Sequence, residues 1–172
     1  MQDKHSTAVH EAGHAVIGRV LGLLCGAATI VSNEAKGEAG HAIVDKQWVT
    51  WEAWQKRGKF RELHSVARGG ILALMAGAEA EIELLGRCAG GDGDDRIRIQ
   101  IIAESADGAD LSDEQWTRCE PRMRAKTRNL VRRHRAKIER VATALQERDT
   151  LQPDEIAALI ADQPARFSPM PR

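Results

Sequence analysis

The stretch from Ser6 to Gly22, "STAVHEAGHAVIGRVLG", constrains the chain more than any other. Its small and apolar residues recur at helical spacing, and Ser6 is a plausible N-cap, so a helix from about Ser6 to Leu24 is predicted, ended by Gly22 and Gly26. His10 and His14 stand four apart on one face, so both imidazoles can reach a single ion. Glu11 lies beside the first of them. This is the H-E-x-x-H arrangement, in which zinc takes the two histidines and the glutamate acts as general base. The plainer alternative is a packed helix with two hydrogen-bonded histidines. Gly13 favours the first reading. A glycine costs about 1 kcal/mol in a helix interior, and one placed there marks close approach by another element.

A chain of 172 residues suits one domain with a hydrophobic core, or one domain plus a helical appendage. Lys+Arg and Asp+Glu both total 25, so the formal charge is zero, which argues against a general nucleic-acid or anionic-membrane binder. The run from Arg118 to Arg140 holds ten Lys/Arg against Glu120 and Glu139 but no aromatic residue, and reads as a solvated face or a partner surface. Cys25, Cys88 and Cys119 form no CxxC pair, so neither a disulfide framework nor a cysteine zinc site is expected. A reducing, cytoplasmic setting is expected. The N-terminus has no basic region followed by an apolar run, so no signal peptide is read there. Ala15 to Val31 is interrupted by Arg19 and diluted by Gly18, Gly22 and Gly26, too short and broken for a membrane span.

After the first helix, Ala27–Ser32 and Gly40–Asp45 read as short strands around a turn, "NEAKGEA". Trp48, Trp51 and Trp54 form a stripe best read as a packing face. Helices are predicted over Leu63–Leu85 and near Arg96–Ser105, then a long basic helix through Arg148 and a short one after "LQPDE". The fold class is mainly α with a small β-sheet. One domain is expected over residues 1–163, divided into a metal-site half (1–110) and C-terminal helices (111–163), with a disordered tail over 164–172.

A catalytic zinc needs a third protein ligand and an open position. Asp92, Asp94 and Asp95 in "GGDGDD" are candidates, although an aspartate there can equally cap the following helix. Glu79, Glu81 and Glu83 are the other set. Spacing alone leaves both open.

Four ordered segments resemble the protease domain of the FtsH-type AAA+ zinc metalloproteases. "TAVHEAGHAV" resembles the family's zinc helix, and "MAGAEAEIELLG" is similar to its Gly-Gly-Arg-x-Ala-Glu-Glu helix, with Gly77, Ala80, Glu81 and Gly86 in matching places. "GGDGDD" stands where the family has a Thr-Gly-Ala-x-Asn-Asp turn, and "LVRRHRAKIERVATALQERDTLQPDEIAALI" is similar to its closing helices. The resemblance implies a zincin-like helix with a C-terminal helical bundle, one zinc per chain, and His10, His14 and Asp95 as ligands. It implies Glu11 as base, with Asp94 on the family's asparagine. The expected reaction is peptide-bond hydrolysis in unfolded or extended segments, with substrate added along the edge strand at Gly40, His41, Ala42 and Ile43. Glu81 is a candidate to hold a ligand histidine from behind.

The chain departs from the family at Ala78 and Ile82, which stand for its arginine and second glutamate, and it contains no G-x-x-x-x-G-K-[ST] phosphate loop. ATP dependence and membrane anchoring are therefore not expected of this chain by itself. A homo-oligomer or a separate ATPase partner is possible on this reading. The alternative is a non-catalytic module that keeps the scaffold to bind peptides or partner proteins. His5, His64 and His134 are expected to be ordinary surface or core histidines, and Cys88 a packing residue.

Overall fold

The computed structural model describes residues 3–32, 40–58, 62–89 and 92–161. The turn expected over "NEAKGEA" and the tail expected over 164–172 lie outside these residues. Seven helices and three short strands are found among the described residues.

The first helix, α1 (Lys4–Val20), begins earlier than Ser6. Asp3 is the cap: its carboxylate accepts a hydrogen bond from the Ser6 amide at 2.8 Å. An aspartate upstream competes successfully for that role because it can cap and complement the helix dipole together. The helix also stops short of Leu24, since Gly22 adopts a left-handed φ of 76° that ends the α-helical path. Every residue from Ser6 to Gly18 is buried, so the stretch is a central helix covered all round rather than a surface helix with one wet face.

Three sides of it are covered. The long helix α3 (Leu63–Leu85) crosses one side, α6 (Arg135–Arg148) packs on another, and β1 (Cys25–Thr29) with β2 (His41–Val44) lies against a third. Gly13 sits at the α1–α3 crossing, where a Cβ would lie 2.5 Å from the Ala76 carbonyl oxygen. The close approach expected from a glycine in mid-helix is therefore present, and α3 is the element that makes it.

The sheet is antiparallel in the order β2-β1-β3, with Ala28 opposite Ala42 on one side and opposite Leu151 on the other. The third strand, β3 (Thr150–Leu151), is unanticipated by the sequence reading, and β1 begins at Cys25 rather than Ala27. The strand β2 is an edge strand. Between it and α3 runs α2 (Gln47–Lys56), whose Trp54 is buried beneath Leu23, Val66 and Ala73 while Trp48 is half exposed. Only part of the tryptophan stripe is a packing face.

Helix α3 has the bounds expected of it. The fourth helix, α4 (Gly93–Glu104), starts ahead of Arg96, and the basic helix divides at His134 into α5 (Asp113–Arg133) and α6. A capping box of Ser112 and Gln115 opens α5. Two main cores result. One joins α1, α6, α7 (Pro153–Ile160) and the sheet through Val9, Val16, Ile138, Leu145 and Ile156; the other joins α3, α4 and α5 through Ile71, Met75, Ile99 and Trp116. Among the described residues no helix is long and apolar enough to cross a membrane.

Candidate metal centre

His10 and His14 project from α1 toward α3, and Asp95 reaches them from the first turn of α4. The Asp95 Oδ2 lies 3.0 Å from His10 Nε2 and 2.9 Å from His14 Nε2. The two rings meet edge-on with centroids 4.7 Å apart. Gly77 of α3 forms the floor: a Cβ there would lie 2.5 Å from both Nε2 atoms. Any side chain at 77 would fill the space on which the three donors converge.

The hydrogen bonds behind the rings fix which nitrogen faces the centre. His14 Nδ1 lies 2.8 Å from the Ala73 carbonyl oxygen, which can only accept, so Nδ1 carries the proton and donates it. His10 Nδ1 donates likewise to Glu81 Oε1 at 2.6 Å. Glu81, fully buried, is held in turn by the Ser6 hydroxyl at 2.8 Å and the Ala89 amide at 2.7 Å, both on Oε2. With each Nδ1 proton committed behind its ring, both Nε2 atoms face Asp95 Oδ2, and the positive charge such a set of donors needs can be supplied by a proton on an imidazole or by a metal ion in its place. The His10, His14 and Asp95 donor atoms all lie within 4.8 Å of one another, so the set could hold one metal ion.

The ionisation of the site follows the same logic. Burial opposes charge on His10, but hydrogen bonds to Asp95 and Glu81, with Glu11 nearby, push its pKa up to about 10. Burial would raise Asp95, yet the His14 and His10 imidazoles hold its carboxyl well below the usual carboxylate range. Glu81 is likewise lowered against the effect of burial, through its bonds from His10, Ala89 and Ser6. Glu11 moves the other way. Burial raises its pKa, opposed by His14, His10 and, from the edge strand, His41.

Of the two sets offered as third ligand, Asp95 is the one at the centre. Asp92 occupies the N-cap position of α4 without a side-chain capping bond, and Asp94 is exposed with no bond to the ligand set. The three glutamates of α3 divide by helical geometry. Glu79 and Glu83, four apart, face α5: Glu79 Oε2 accepts from Arg128 at 3.0 Å, and Glu83 accepts two bonds from Arg132 at 2.7 and 2.9 Å. Glu81 faces the opposite way, toward α1.

His41 and Ile43 are exposed on β2, Ala42 is buried, and Gly40 closes against Thr7 of α1, one turn before Glu11. His5 and His64 are exposed, and His134 marks the α5–α6 break. All three cysteines are free. Sequence reading missed Ser6, the Ala73 carbonyl, the Ala89 amide and Gly77. Ser6 could have been found: with Asp3 as cap, it falls four residues before His10, on the same face. The two backbone groups carry no signal in their side chains.

No protein-family model matches the chain, and no curated protein sequence matches it.

Proposed function

We propose that this chain is a zinc-dependent metallopeptidase, similar to the protease domain of the FtsH-type enzymes, that hydrolyses peptide bonds in unfolded or extended protein segments. The observation that carries the reading is the convergence of His10 Nε2, His14 Nε2 and Asp95 Oδ2 next to Glu11, a buried carboxyl on the same helix. Two imidazoles and one carboxylate, with a position left open, suit catalytic zinc, one ion per chain. When bound, zinc supplies Lewis-acid polarisation of the peptide carbonyl and makes water more acidic.

The chain's own residues do the rest. Glu11 accepts a proton from the attacking water and returns it to the leaving amine. Its raised pKa brings the carboxylate closer to the range in which a base works efficiently near neutrality, while the imidazoles keep it from rising further. Glu81 and the Ala73 carbonyl hold the rings so that Nε2 of each faces the reacting groups. The edge strand β2, with its residues His41, Ala42 and Ile43 and with Gly40 just ahead of it, offers backbone groups to an extended substrate, which gives affinity with little sequence preference. Suitable substrates are segments already unstructured, or segments delivered by an ATPase partner. The three free thiols are compatible with a reducing, cytoplasmic setting.

The test is casein hydrolysis by wild type and Glu11→Gln, with zinc measured in both. The proposal expects zinc to be retained and cleavage to collapse. Unchanged cleavage with zinc still bound overturns the role of Glu11.

A further inference from the structure

Helix α5 carries two rows of cations. Arg124, Arg128 and Arg132 form one row, paired with Glu79 and Glu83 of α3. Arg122 and Lys126, also four apart, form the other, and among the described residues neither has an ion pair; nor does Arg68 of α3. These three unpaired cations surround one cavity of about 320 Å³ between α3 and α5, whose floor is Leu72, Leu111 and Met123. A second cavity of about 390 Å³ adjoins it and shares Arg68, Leu72 and Lys126. The second continues toward Glu62, His64 and Ser65 and is polar where the first is apolar.

We infer that this cavity binds a small anionic amphiphile, a medium-chain fatty carboxylate being the simplest member of the class. The aliphatic chain covers Leu72, Leu111 and Met123, and the carboxylate sits where the two cavities meet, between Arg68 and Lys126, with Arg122 closing the apolar end. The volume falls in the range of small-molecule sites, which are mostly apolar with a few convergent polar groups. Burying the chain supplies the affinity, roughly 0.8 kcal/mol per CH₂. The cations supply orientation, because a carboxylate between an arginine and a lysine makes charge-assisted hydrogen bonds that an alcohol cannot match. Among the described residues the single acid lining either cavity, Glu62, belongs to the outer, polar one, and none lines the apolar one. The inference does not depend on peptidase activity.

Cys119, half-buried in the same lining, reports occupancy directly. Titration of the full chain with decanoate by calorimetry is expected to give one site per chain, and decanoate is expected to slow alkylation of Cys119 while leaving Cys88 unaffected. Decanol and decylammonium should bind at least about tenfold more weakly, since losing one charge-assisted bond is worth that factor. The charge reversal Arg68→Glu with Lys126→Glu should weaken decanoate similarly, with zinc content and far-UV circular dichroism unchanged. Equal binding of decanol overturns the assignment of the head group. Binding without protection of Cys119 places the ligand elsewhere and overturns the site. If decanoate fails and an amphipathic peptide rich in Glu and Leu protects Cys119 instead, the cavity is a protein-docking surface and the inference is wrong.

Discussion

Glu81 and Glu83 stand two apart on α3 and behave as opposites. Glu81 is fully buried against α1, with His10, Ser6 and Ala89 occupying both its oxygens. Glu83 lies on the α5 side and meets Arg132, whose side chain is largely in solvent. The same residue type thus does two jobs, one fixing the tautomer of His10 and the other pairing two helices in water. What separates them is dielectric environment: a buried carboxylate cannot lose its partners without a large desolvation penalty, whereas an exposed pair exchanges them for water.

The largest expected effect belongs to the buried side. Glu11→Gln keeps the shape of the site but removes the base, and casein turnover should fall by about 10²–10⁴ at unchanged zinc content. Glu81→Ala should then lower zinc affinity by roughly 10–100-fold, as measured by competition with a chromogenic chelator, because His10 loses the group that orients it. Its neighbour is the control. Glu83→Ala should leave both zinc affinity and melting temperature unchanged, and rising salt should weaken only the Glu83–Arg132 pair. If Glu83→Ala disturbed zinc as much as Glu81→Ala, the two faces would not be separable.

The smallest effect concerns Cys25, which lies against Gly18 at the other end of α1. Burial, with Arg19 opposing and Asp45 assisting, pushes its thiol up to about 11 from an ordinary 9.0. The folded chain therefore keeps the thiol neutral where the unfolded chain ionises it. This contribution to stability is complete below pH 9.0 and is lost as the pH rises through about 11. Iodoacetamide at pH 8 should accordingly modify Cys25 far more slowly in the native protein than in denaturant.

The faces of α3 also show where sequence reading succeeds and fails. The ends of α3, the pairing of His10 with His14 and the close approach at Gly13 all follow from local spacing and from the intolerance of a helix interior for glycine, so they were legible. Assigning Glu79, Glu81 and Glu83 was not, because helical periodicity separates their faces without saying which element covers each. Asp95 was singled out only through family resemblance; by spacing it stood level with Asp92 and Asp94. Other misses have local causes. Asp3 displaced Ser6 as cap, and β3 is too short, at two residues, to show alternation. The break at His134 has neither glycine nor proline to announce it, and no physical account of it emerges from the sequence.

If His10, His14 and Asp95 together hold one metal ion, removing any one of them must release it. Metal content of the purified wild-type chain and of Asp95→Ala, after equilibration with zinc and removal of excess, tests it most directly. The expected result is about one zinc per chain in wild type, and loss of that zinc in Asp95→Ala with helical content intact. A wild-type chain that retains no zinc, or an Asp95→Ala chain that holds it as tightly as wild type, would contradict it.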